Sequence, residues 1–170
     1  MPDTKSPSHL LAVEVLKLAR ARGERLVTAE SCTGGMVAAA LTDIAGSSDA
    51  FDRGYVTYSN DAKQAMLSVP EKLLKGYGAV SAEVAAAMAL GALRHSGAHL
   101  AVAITGIAGP GGGTAKKPVG LVHFAVVHRD GRVDRVEKRF GNLGRAEIRA
   151  RSVETSLDML RAMLAAPAVA

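Results

Sequence analysis

Apolar positions recur along this chain in two rhythms, and the changes of rhythm mark its elements. Between 9 and 22, Leu11, Val15 and Leu18 fall on one face at helical spacing, and Gly23 supplies a stop. "RLVTAE" (25–30) reads as a short buried strand, and 34–45 as an Ala-rich helix. "FDRGYVTYS" (51–59) is rich in β-formers and predicts a strand. "NDAKQAML" opens a helix with Ser59 or Asn60 as its cap, and Pro70 suits the first turn of another ending at Gly76. Ser81 caps a long helix that runs toward Gly97. "HLAVAIT" (99–105) is continuously apolar, as in strands covered on both faces. "VGLVHFAVVH" and "RVDRVEKRF" flank "RDG" and predict a hairpin closed by a tight Asp-Gly turn. A last helix spans 143–164. Strands alternating with helices, plus one hairpin, predict a single α/β domain over 9–165, a mixed β-sheet flanked by helices in α/β/α layers. The Pro- and Ser-rich residues 1–8 are expected to form a flexible N-terminus.

Composition narrows the functional classes. The chain has 170 residues, enough to bury one core, but only 4% aromatic residues and no Trp, so aliphatic side chains and Ala must fill it. A net charge of +5 permits an anionic partner. Acids interrupt the basic residues of the C-terminal third, and no stripe of alternating basic and aromatic residues is present, which points away from nucleic acid. Cys32 is the only cysteine, so neither an intrachain disulfide nor a cysteine metal cluster is available. No signal-peptide core and no apolar run of membrane-spanning length is found, and a cytoplasmic protein without a membrane partner is expected.

Three segments carry chemistry, and each follows a predicted strand: "TAESCTGG" (28–35), "YSNDAK" (58–63) and "TGIAGPGGGT" (105–114). In α/β sheets, ligands collect beyond the carboxyl ends of strands, so the three loops are expected to share a pocket. Ser31 lies between a strand end and a helix start, where the N–H groups of Thr33, Gly34 and Gly35 would be free for an anion or an oxyanion. Ser31 or Thr33 as a plain helix cap is the competing reading. Cys32 is a second candidate nucleophile or a small buried hydrophobe. Lys63 is either a base, if burial lowers its pKa, or an exposed helix lysine. Ser59, four residues before Lys63, is a rival nucleophile. The Gly-rich segment has five Gly in eight positions, which suits close backbone approach to an anion, or a flexible loop. It lacks the Walker and dinucleotide patterns. His95 and His99 are separated by Gly97, His123 and His128 fall on the hairpin, and no ligand spacing predicts a metal or cofactor.

Together with "GSSDAFDRGYVTYSNDAKQAMLSV" and "GAVSAEVAAAMALGAL", these loops resemble the CinA C-terminal domain family over residues 9–164. The resemblance implies deamidation of nicotinamide mononucleotide to nicotinate mononucleotide and ammonia, with Ser31 as nucleophile, Lys63 as base and Tyr58 as a pocket residue relaying a proton. It implies substrate binding by Thr33, Gly34, Thr105, Gly106, Gly109, Gly111 and Gly112, with Arg145 in "LGRAEIRARS" suited to a phosphate. It implies a homodimer, and the absence here of any activity seated in the N-terminal half of longer members. A non-catalytic nucleotide-binding or interaction module linked to competence or DNA damage is the alternative.

Overall fold

A computed structural model describes residues 6–169. Five strands, β1 (Leu26–Glu30), β2 (Phe51–Val56), β3 (Leu100–Gly106), β4 (Leu121–His128) and β5 (Val133–Arg139), form one sheet in the order β2-β1-β3-β4-β5. β1 is parallel to both β2 and β3, whereas β4 and β5 join antiparallel. The helices are α1 (Pro7–Arg22), α2 (Met36–Thr42), α3 (Asn60–Leu67), α4 (Glu71–Tyr77), α5 (Ala82–Arg94) and α6 (Arg145–Ala165). The predicted mixed sheet between helix layers is the fold observed.

Strand alternation divides the core into two. Leu100, Val102 and Ile104 of β3, with Val122, Phe124 and Val126 of β4, face the layer of α1, α2 and α6. Their neighbours Ala101, Ala103 and Ala125 face Ala85, Ala89 and Ala92 of α5. Small residues on both sides bring α5 close to the sheet, which is how a chain poor in aromatics reaches interior density. Where α5 passes α3, Gly91 leaves no room for a side chain: a Cβ there would land on the Leu67 carbonyl.

Several boundaries differ from the predicted ones. Of the residues expected to be flexible, 1–5 lie outside the described residues. Helix α1 already starts at Pro7, with Ser6 as cap accepting the His9 N–H at 3.3 Å. Helix α2 starts two residues later than expected because Gly35 has φ +100°, outside the helical region. Strand β2 stops at Val56, and Thr57–Ser59 turn toward α3. Helix α5 ends at Arg94, short of Gly97. The hairpin, by contrast, closes where expected, on the three residues Arg129–Gly131 between His128 and Arg132.

The topology also sets the site. The α2 connection from β1 to β2 covers one face of the sheet, and the α3–α5 connection from β2 to β3 covers the other. Ligand crevices form where such connections diverge, here beyond the carboxyl ends of β1 and β3.

Candidate active site

A cavity of about 290 Å³ occupies that crevice. Its walls include Ser31 and Cys32 from the loop after β1, Tyr58, Asn60 and Lys63 from the β2–α3 junction, Thr105 and Gly106 at the end of β3, and Gly109, Gly111 and Gly112 from the loop that follows. Arg145, the first residue of α6, completes the rim.

Lys63 is among the largest side chains held wholly inside the domain, 1% exposed. The first turn of α3 delivers it. Ser59 caps this helix by accepting the Ala62 N–H at 3.0 Å, and Lys63 lies one turn further on. Its Nζ stands 3.0 Å from Ser31 Oγ and donates to the Thr57 carbonyl at 2.8 Å. Among the described residues no carboxylate pairs with it. Burial lowers the Lys63 pKa, because a buried ammonium without a counter-ion is costly. A neutral Nζ has two N–H groups and a lone pair. With one N–H on Thr57, the lone pair is free to receive the Ser31 hydroxyl proton.

Ser31 is held from both sides. Its N–H donates to the Ile104 carbonyl of β3 at 3.0 Å, and its carbonyl accepts the Gly34 N–H at 3.0 Å. It does not cap α2. That role falls to Glu30, a fully buried carboxylate at the end of β1. Glu30 accepts the N–H groups of Gly35 (3.0 Å), Val37 (3.1 Å) and Ala38 (2.9 Å). The expectation that Thr33, Gly34 and Gly35 would all present free N–H groups is therefore corrected: Gly34 and Gly35 are occupied. Among the described residues the N–H groups left without an acceptor in this turn are those of Cys32 and Thr33. Thr33 and Gly34 do not line the cavity, and the Thr33 side chain is fully buried.

Burial pushes the Cys32 thiol up to about 11, which keeps it protonated near neutrality and unsuited to attack. Ser59 Oγ is spent on its cap, so Lys63 meets Ser31 and not Ser59. Thr105 lines the cavity but donates its hydroxyl to the Ala79 carbonyl at 2.8 Å. Gly106, Gly109, Gly111 and Gly112 line the wall as expected. Tyr58 is 60% exposed, and its hydroxyl accepts from Arg145 at 2.8 Å instead of meeting Ser31 or Lys63. Arg145 also donates to the Gly109 carbonyl at 3.0 Å, so one guanidinium links Tyr58, the Gly-rich loop and α6 across the rim. Its remaining N–H groups are available to an anion.

The sequence reading missed Glu30, Asn60 and Arg149. The signal for Glu30 was present: an acid closing an apolar strand, five residues before a Gly that opens a helix. Of the histidines, His99 accepts the Arg25 N–H at 3.0 Å and His95 pairs with Ser68 at 2.9 Å, so the two have separate structural partners.

The family model for the CinA C-terminal domain matches residues 8–164. An Enterobacter agglomerans protein named nicotinamide-nucleotide amidohydrolase PncC is 50% identical over 88% of this chain and 91% of its own length. A CinA-like protein of a Synechococcus strain is 54% identical over 91% of this chain, which spans only 37% of that longer relative. The crystal structure of a competence/damage inducible protein, CihA, from Agrobacterium tumefaciens superposes with a TM-score of 0.94 at 52% identity, covering 96% of this chain and 99% of that one. A CinA superfamily structure from Klebsiella pneumoniae gives 0.88 at 39% identity, over 93% and 98% of the two chains. With nearly the whole domain matched in sequence and in fold, this chain belongs to the CinA C-terminal domain family.

Proposed function

We propose that the protein is an amidohydrolase that converts nicotinamide mononucleotide to nicotinate mononucleotide and ammonia, using Ser31 as nucleophile and Lys63 as base. The observation that carries this reading is the buried Lys63 Nζ, 3.0 Å from Ser31 Oγ and without an acidic partner among the described residues, at the wall of a crevice. The name and 50% identity of the Enterobacter relative support the substrate.

Lys63 takes the hydroxyl proton as Ser31 Oγ attacks the carboxamide carbon. The resulting oxyanion accepts from the Cys32 N–H, which has no other acceptor among the described residues and belongs to a residue of the cavity wall. Lys63, now an ammonium, returns the proton to the leaving nitrogen. Ammonia departs and an ester to Ser31 remains. Water, activated by neutral Lys63, attacks that ester and regenerates the serine, leaving the nicotinate carboxylate. At the far end the substrate phosphate lies against Arg145 and the Gly111–Gly112 backbone. Tyr58 holds Arg145, and a proton relay through Tyr58 would first require that bond to open. No helix among the described residues is long and apolar enough to cross a membrane. A homodimer is part of the same reading, tested by sedimentation.

Ammonia release from nicotinamide mononucleotide by the purified protein tests the proposal. Ser31→Ala should fold and lose turnover, whereas Ser59→Ala should retain most of it. Substrate binding without ammonia release would leave only the non-catalytic nucleotide-binding reading.

A further inference from the structure

We propose that Asn60, in a role that rests on the amidase reading, binds the carboxamide of the substrate: its side-chain oxygen accepts an N–H of that group beside the Lys63 amine and so sets the amide for attack by Ser31.

The path of Lys63 fixes where Asn60 stands. Residues three apart share a helix face, and side chains lean toward the helix N-terminus. Lys63 leans far enough that its amine donates to the Thr57 carbonyl at 2.8 Å, six residues back and before α3 begins. Its side chain therefore runs back along the face that carries Asn60, the first residue of the helix. Both residues line the cavity, so the Asn60 amide flanks the amine that stands 3.0 Å from Ser31 Oγ. Asn60 is exposed and so open to an incoming substrate.

The other polar side chains of the wall are engaged. Lys63 is on Ser31 and Thr57, the Thr105 hydroxyl is on the Ala79 carbonyl, and Arg145 spans Tyr58 and the Gly109 carbonyl. Among the described residues no Asp or Glu lines the cavity, and the Asn60 side chain has no hydrogen-bond partner. A carboxamide brings one carbonyl and two N–H donors. With its carbonyl on the Cys32 N–H and its nitrogen toward Lys63, it still needs an acceptor for one N–H. The carbonyls of Thr57, Ala79 and Gly109 already accept other donors. The Asn60 oxygen supplies the acceptor and fixes the amide plane, hence the face of the carbon offered to Ser31. The same side chain suits the product. When oxygen replaces the nitrogen, half a turn of the Asn60 amide presents its NH2 group to the new carboxylate.

The test is steady-state ammonia release from nicotinamide mononucleotide by Asn60→Leu and Asn60→Asp. The same mononucleotide without its carboxamide serves as competitive inhibitor, and thermal melts check the fold. Asn60→Leu, similar in shape but unable to hydrogen-bond, should lower kcat/KM about 10- to 100-fold, because an amide N–H loses its acceptor. The Ki of the carboxamide-free nucleotide should stay within about 3-fold of wild type, since it has no group for Asn60 to bind. Asn60→Asp should raise the pH midpoint of kcat by at least about one unit, because a carboxylate beside the amine favours the ammonium. In the wild type the titratable group acting on Lys63 is the Cys32 thiol, which is held protonated and does not mask that shift. Asp suits a first helical turn, so this variant keeps the proposal testable if Asn60→Leu is unstable. Wild-type kcat/KM in Asn60→Leu overturns the proposal. So does a matching rise in the Ki of the carboxamide-free nucleotide, which would make Asn60 a ribose or phosphate contact. An unmoved pH midpoint in Asn60→Asp overturns it as well, by placing the side chain away from the amine. A wild-type protein that releases no ammonia refutes the amidase reading separately and withdraws this role with it.

Discussion

Replacing Glu30 with Gln changes one atom and removes a charge at the most heavily bonded acceptor of the site. The carboxylate is fully buried and accepts three backbone N–H groups, at 3.0 and 3.1 Å on one oxygen and 2.9 Å on the other. A Gln amide has a single oxygen. Its best orientation keeps that oxygen on Gly35 and Val37 and sets the NH2 group against the Ala38 N–H, donor facing donor. The loss of one hydrogen bond to a charged group costs about 1.5–3 kcal/mol, and weakening the other two to neutral strength adds to it. A total of about 2–4 kcal/mol is expected for Glu30→Gln. At about 2–4 °C per kcal/mol for a domain of this size, Tm should fall by about 4–16 °C. Calorimetry, with urea unfolding to check that the m-value is unchanged, measures this directly. A loss below about 1 kcal/mol would refute the reasoning. It would mean that the desolvation cost of burying the carboxylate cancels what its three bonds return.

Lys63→Met should keep the fold and lower kcat by at least about 100-fold, the usual scale for a general base; near wild-type turnover would put the base elsewhere. The same variant tests pH-dependent stability. The folded-state pKa of Lys63 is lowered by burial, so between that value and about 10.4 the unfolded chain holds a proton that the folded one does not. Stability conferred by the neutral lysine should therefore decline as pH falls through this window, and denaturant titrations should show the wild type losing ground to Lys63→Met as the solution is acidified. Arg145→Ala should raise KM about 10- to 100-fold with little change in kcat, and an unchanged KM would remove Arg145 from the phosphate site. Cys32→Ser should remain active, because the wild-type thiol is held protonated; loss of turnover in that variant would reopen Cys32 as the nucleophile.

Much of this molecule was legible because its signals are local. The apolar runs of β3 and β4 and the caps Ser59 and Ser81 could be read within a few residues of each element. The convergence of three loops followed from parallel strands ending on one side. What stayed hidden depends on contacts across the chain. Arg149 bonds carbonyls 116 and 117 positions upstream, a pairing with no periodicity to reveal it. Nor does position 63 disclose its depth: an exposed lysine and a buried one look alike until the neighbouring helix is in place. The expectation that Thr33, Gly34 and Gly35 would offer a row of donors failed on a local competition, since the Glu30 side chain takes the Gly35 N–H and the Ser31 carbonyl takes that of Gly34.

The close crossing at Gly91 has a meaning beyond packing. Helix α3 holds Lys63, and the Leu67 carbonyl against Gly91 lies one turn beyond it. The thickness of the seam between α3 and α5 therefore acts as a spacer that sets how far the amine reaches toward the serine. A single methyl group at position 91, on a helix that contributes nothing to the cavity wall, would wedge that seam open. The reach of the base is thus gauged from behind, and a screen for impaired turnover should recover substitutions at a glycine that no substrate touches.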